Sequence, residues 1–138
     1  MQQQSAAAAA SPRLRAHRNL HPELTDPVQR LAIAMEPGTY VRPHRHPQTF
    51  ELLLPLSGRF LVLHFDDEGQ VLRRTILGEE CRGFETAAGV WHAVLSLDSG
   101  GIIFDVKQGA HPPVSEQDSV ALVPVVGEIV RSVLFMWY

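Results

Sequence analysis

Between residues 30 and 107 the chain is cut into short apolar runs, and this punctuation constrains the fold more than any other feature. Arg30 to Met35 (RLAIAM) stops at Glu36-Pro37-Gly38, and Phe50 to Leu56 (FELLLPL) stops at Ser57-Gly58. Arg59 to Phe65 (RFLVLHF) stops at Asp66-Asp67-Glu68-Gly69, after which Gln70 to Leu77 begins. Trp91 to Leu97 closes at Asp98-Ser99-Gly100-Gly101 before Ile102 to Lys107. Runs of this length are too short, or too interrupted by proline, for stable helices. With turn residues between them they predict an all-β antiparallel sandwich or barrel. The DDEG segment between two such runs predicts a hairpin connection.

The ends read differently. MQQQSAAAAASP is low in complexity and lacks the basic start of a secretory leader, so residues 1–12 are expected as a disordered tail or a frayed helical turn. Arg13, Arg15, His17 and Arg18 are expected to form a solvated basic strand or arm. After Lys107 comes a proline-containing loop with His111. Val126, Ile129, Val130, Val133 and Leu134 then fall at helical spacing, which predicts a short C-terminal helical or irregular segment. One domain over residues 13–138, with a barrel core of about 30–107, accounts for a chain of 138 residues.

A formal charge of -3 gives no electrostatic footprint for nucleic acid, and no apolar run is long enough to span a membrane. The single cysteine, Cys81, excludes an intramolecular disulfide and fits a cytoplasmic setting. A Phe135-Met136-Trp137-Tyr138 end would be an unusual exposed patch, so a homodimer is the expected assembly.

The segment GTYVRPHRHPQTFELLLPLSG carries the chemistry. His44 and His46 are two apart, so an extended strand points both imidazoles to one face. Glu51 lies an odd number of positions further on and needs a bend to join them, for which Pro47-Gln48-Thr49 is the natural place. Two imidazoles and a carboxylate suit Zn, Fe, Ni, Cu or Mn and leave coordination positions open. A proline-bounded histidine turn is also what a solvated loop looks like, so the segment does not decide the matter alone. His92, after Gly89-Val90-Trp91, is a candidate ligand from a distant strand, although an isolated histidine there is more often a hydrogen-bonded core residue.

The spacing Gly38-x5-His44-x-His46-x4-Glu51-x6-Gly58 resembles the first motif of the cupin superfamily, and Cys81 to Ser96, with Gly89-x2-His92, resembles the second. Cys81, Ala87 and Ser96 depart from it where glycine, proline and asparagine are usual. The resemblance implies a double-stranded β-helix (jelly-roll) barrel in which His44, His46, Glu51 and His92 hold one divalent metal ion. Over most of residues 13–118, NLHPELTDPVQRLAIAMEPGTYVRPHRHP, the DDEG hairpin and the VKQG segment resemble the WbuC family of small cupin metalloproteins. That resemblance implies a sugar or sugar-nucleotide intermediate of surface-polysaccharide (O-antigen) synthesis and an isomerase or epimerase type of reaction. An iron-dependent dioxygenase and a non-catalytic metal-dependent binding protein for a small, possibly carbohydrate, ligand are the alternatives.

Around such an ion, Arg42 shares the parity of His44 and is a candidate for binding a substrate anion. His64 is a candidate proton shuttle, with a satisfied core histidine as the plainer reading. Lys107 is expected at the barrel mouth. Tyr40 and Trp91 are candidates for a pocket wall or for core packing, Arg45 and Glu85 for solvated positions, and Cys81 for a structural role. No paired carboxylates or nucleophile–base pair accompany the histidines, so any catalysis is expected to run through the metal.

Overall fold

The structure is a computed structural model that describes residues 2–11, 15–39 and 41–109. It contains one helix, α1 (Gln2–Ala10), and eight strands: β1 (Arg15–Asn19), β2 (Val28–Met35), β3 (Glu51–Ser57), β4 (Phe60–Phe65), β5 (Val71–Leu77), β6 (Phe84–Thr86), β7 (Trp91–Ser96) and β8 (Gly101–Gln108). The strands form a five-stranded sheet ordered β1-β2-β8-β3-β6 and a three-stranded sheet ordered β5-β4-β7, with antiparallel pairing throughout. Two facing antiparallel sheets closed by short turns make the all-β jelly-roll that the punctuated sequence predicts.

Alternation explains which side chains fill it. Ile33 and Met35 of β2, Leu53 of β3, Phe60 and Val62 of β4, Leu77 of β5, Phe84 of β6 and Ile103 of β8 meet in one buried cluster between the sheets. The intervening residues of β4, Leu61, Leu63 and Phe65, join Ile76, Trp91 and Ala93 in a second buried cluster. Burial on both faces is why β4 reads as an almost continuous apolar run. Pro55 sits where β3 extends beyond its pairing with β6, which ends at Leu53, and a register shift follows between Pro55 and Ser57.

The hairpin predicted at DDEG is present. The Asp66 carboxylate accepts from the backbone N–H of Glu68 (3.0 Å) and Gln70 (2.8 Å), so the side chain itself ties the β4–β5 turn.

The amino-terminal segment differs from the expected disordered tail. Residues 2–10 are helical, as the high helix propensity of an alanine tract allows, but nine residues would not hold a helix alone. Packing supplies the rest: Ala8 is fully buried against Ala32, Ala34 and Ile102. Side chains this small let helix and sheet approach closely, and the Gln4 amide donates to the backbone oxygen of Ala32. The basic segment after it is strand β1, paired along its length with β2. The expected C-terminal segment at 126–134, His111 and the Phe135–Tyr138 end lie outside the described residues.

Candidate metal centre

Three strands and one loop converge on the site. The loop from Val41 to His46 is pinned to the start of β7 by a reciprocal pair of backbone hydrogen bonds between His44 and His92 (3.0 and 2.9 Å). Directly opposed residues of an antiparallel pair project to the same side, so this bridge sets the two imidazoles side by side with ring centroids 4.5 Å apart. His46, two residues on, joins them at 4.9 Å from His44, as its parity predicts. The Gly89 N–H donates to the His46 carbonyl (2.9 Å), and Gly89 has φ +79°, a conformation glycine adopts without strain. The turn at Pro47-Gln48 then carries the chain into β3, so Glu51 enters the same space from the opposite sheet.

One ligand atom from each of His44, His46, Glu51 and His92 lies within 4.8 Å of the others. Ligands about 2.1 Å from a common ion are at most about 4.2 Å apart, so a shift of a few tenths of an ångström brings all four into range. The hydrogen bonding suits an ion. His44 Nδ1 meets the Arg42 carbonyl at 2.8 Å and His92 Nδ1 meets the Val90 carbonyl at 2.9 Å. A carbonyl can only accept, so Nδ1 of each ring carries a proton and Nε2 is turned to the site. His46 Nε2, His92 Nε2 and Glu51 Oε2 are buried without a hydrogen-bond partner. His92 Nε2 and Glu51 Oε2 face each other at 2.7 Å, an ion pair while His92 keeps its proton. An unpartnered His46 Nε2 beside a buried His92–Glu51 contact makes a polar space suited to a cation, which would take the place of the proton His92 otherwise holds. The residues present therefore fit a divalent ion, and they form a potential metal site.

The electrostatics agree. Burial holds His44 and His46 below the ordinary histidine value, His46 at about 4, so both are neutral and able to ligate near neutral pH. Burial also opposes charge on Glu51 and His92. Their mutual contact outweighs it, holding the Glu51 carboxyl well below its ordinary range and raising His92.

The remaining candidates divide. Lys107 faces the site: its Nζ lies 3.8 Å from Glu51 Oε1 and 3.0 Å from Asp105 Oδ2. Arg42 lines the same cavity. His64 lies beside His92 in the β4–β7 register, but it does not line the cavity. Its Nε2 is held by the Thr86 hydroxyl at 2.8 Å, and burial lowers it to about 4. Trp91 belongs to the second core cluster, its indole N–H donating to Asp67 Oδ1 (3.1 Å) and Arg45 stacking over its ring at 4.7 Å. Arg45 is thereby half-buried rather than fully solvated. Glu85 is exposed on β6, Cys81 packs at the margin of the first core cluster, and Tyr40 lies outside the described residues.

Asp105, which sequence reasoning missed, and Arg15, which it read in a solvated basic strand rather than as an anion site, both line the cavity. Asp105 is 2% exposed. Burial first, and then the Glu51 charge, raise its carboxyl to about 7 despite the nearby Lys107. The available signal was parity: Ile103, Asp105 and Lys107 are alternate residues of one strand and share its inner face.

Comparison with known proteins follows this geometry. Among solved structures, an oxalate oxidase in complex with the substrate analogue glycolate superposes with a TM-score of 0.60 at 18% identity, covering 89% of this chain and 68% of the other. KdgF from Halomonas sp. gives 0.56 at 16% identity, covering 74% and 85%. Oxalate decarboxylase OxdC from Bacillus subtilis gives 0.55 at 15%, and there the match spans only 25% of the larger chain. At these identities the likeness shows the fold alone, which is the cupin fold. No curated protein matches the chain. Among the described residues no helix is long and apolar enough to cross a membrane. The family model described as a domain of unknown function, DUF6016, matches residues 1–77, more than half of the chain and three of its four candidate ligands, and the chain belongs to that family.

Proposed function

We propose that the protein is a mononuclear divalent-metal cupin enzyme that moves a proton beside a carbonyl in a small oxygen-bearing substrate, an isomerase or epimerase type of reaction. The observation that carries this reading is the convergence of His44, His46, Glu51 and His92, with His46 Nε2 buried and unpartnered, in the lining of a cavity of about 470 Å³. His44, His46, Glu51 and His92 would hold the ion. Bound there, it supplies Lewis acidity to a substrate oxygen.

The chain's own residues supply the rest. His44 and His92 are fixed in orientation by the Arg42 and Val90 carbonyls, so the site is built before substrate arrives. Lys107 and Asp105, 3.0 Å apart in the cavity lining, are a donor and a carboxyl that would exchange a proton with the substrate. The aliphatic wall of Val41, Leu53, Val94 and Ile103 limits the water that reaches them. A sugar or sugar-nucleotide intermediate of surface-polysaccharide synthesis is supported by the resemblance of residues 13–118 to the WbuC family. Three histidines and one carboxylate also suit iron, which favours a dioxygenase as the second reading.

The test is a substrate screen on metal-reconstituted protein, followed by chelation. Turnover should disappear with chelator and return with about one equivalent of ion. Isomer formation without dioxygen separates the first reading from the second. Turnover indifferent to chelation would refute both.

A further inference from the structure

The cavity in front of the candidate ligands has an uneven lining that speaks to the chemistry of its occupant. Its basic groups are Arg15 from β1, Arg42 from the ligand loop and Lys107 from β8, and its acids are Glu51 and Asp105. Three basic side chains thus face two carboxylates before any ion is counted. A divalent ion held by Glu51 adds two positive charges, so the loaded cavity carries a clear positive excess. Lys107 lies 3.8 Å from Glu51 Oε1 and is largely buried, where a cation attracts an anion more strongly than in water. Its ammonium has three donors, of which Asp105 Oδ2 takes one at 3.0 Å. Arg15 is close enough for its charge to bear on Lys107.

The wall between and around these groups is of another kind. Ile33, Met35, Val41, Leu53, Val94 and Ile103 supply it, and among the described residues no Ser, Thr, Asn, Gln, Tyr or Trp lines the cavity. A sugar ring against such a wall would leave hydroxyl groups without partners, each at a desolvation cost. Among the described residues it would also meet no tyrosine, tryptophan or phenylalanine face to lie on.

We propose that this cavity takes a small carboxylate with an aliphatic or deoxygenated body, its acid group held by Lys107 and Arg15 and a neighbouring oxygen turned to the ion. The inference rests on the metal-centre reading and narrows its substrate. Among sugar derivatives it admits deoxygenated acids and excludes neutral hexoses.

Calorimetric titration of the full-length, metal-loaded protein with three probes tests it: 2-hydroxyhexanoate, 1,2-hexanediol, which lacks the acid, and gluconate, which keeps the acid and adds hydroxyls. Metal content is measured on the same samples. The hydroxy acid should bind roughly 10- to 100-fold more tightly than the diol, the range expected for a charge-assisted contact. It should bind at least about tenfold more tightly than gluconate. Lys107→Gln should remove most of the preference for acid over diol without changing the metal content. Arg15→Gln, at the edge strand and away from the ligands, should reduce the same preference and guards against misfolding of the first variant. Equal binding of diol and acid, or tighter binding of gluconate, by protein carrying its ion overturns the inference and leaves the metal reading intact. If no ion binds but the Lys107-dependent preference persists, the metal reading fails and the carboxylate site stands. Loss of both overturns both.

Discussion

Proton release on metal binding offers a sharp test of the site's electrostatics, because the histidines do not share one environment. Three histidines at the ordinary value of about 6.5 would carry about 2.7 protons at pH 5.5, and an ion ligated by all three would expel them. Here His46, at about 4, is already neutral at that pH, and burial lowers His44 in the same direction. Only His92, raised by its contact with Glu51, holds its proton firmly. Asp105 complicates the count, because an ion that takes up the Glu51 charge lowers Asp105 and releases some of its proton. Asp105→Asn removes that contribution. Titrating Zn²⁺ into this variant at pH 5.5, in two buffers of different ionisation enthalpy, should give a proton count below about two, because His46 contributes almost none and His44 less than an ordinary histidine. Wild type should release up to one more. One proton corresponds to a tenfold change in affinity per pH unit, about 1.4 kcal/mol. A count near three in the variant would refute the assignment of neutral His44 and His46.

Asp105 also carries a stability prediction. Its folded-state value, about 7, lies above the ordinary 3.8, so its favourable contribution is complete below about pH 4 and is lost as pH rises through about 7. In metal-free protein, urea unfolding should therefore show Asp105→Asn gaining on wild type by roughly 2–4 kcal/mol between pH 4 and pH 8. A constant difference would contradict the buried carboxyl. Phe60 is fully buried at the centre of the cluster between the sheets, so Phe60→Ala should cost about 3–5 kcal/mol by denaturant titration. A cost below about 1 kcal/mol would mean that the two sheets do not share this core.

Much of this was legible in the sequence, for reasons that particular residues show. The strands at β2, β3, β4, β5, β7 and β8 fall within a residue or two of the apolar runs because Gly and Asp close each of them. His44 and His46 met because side-chain parity is local. Glu51 and His92 required the spaced motif, since what joins them to the pair is a turn and a cross-strand bridge. The short strand β6 was missed, with three residues and only Phe84 and Thr86 facing inward. α1 was anticipated only as a frayed turn because what holds it is tertiary: Ala8 against Ala32 and Ala34 has no signature in an alanine tract. Asp105 was overlooked because a charged residue in an apolar run reads as solvent-facing, until its strand is seen to be flanked by β2 and β3 on both edges. His64, read either as a proton shuttle or as a core histidine, meets the Thr86 hydroxyl at 2.8 Å, a pairing between distant strands that the sequence does not display.

The account stands on one ion bound by His44, His46, Glu51 and His92, and elemental analysis of purified and reconstituted protein tests that most directly. Wild type should hold about one divalent ion per chain. Glu51→Gln and His92→Ala should each lose most of it while keeping the far-ultraviolet circular dichroism of the folded β-protein. A ratio near zero in wild type after reconstitution with Zn, Fe, Ni and Mn, or an undiminished ratio in both variants, would contradict the metal centre.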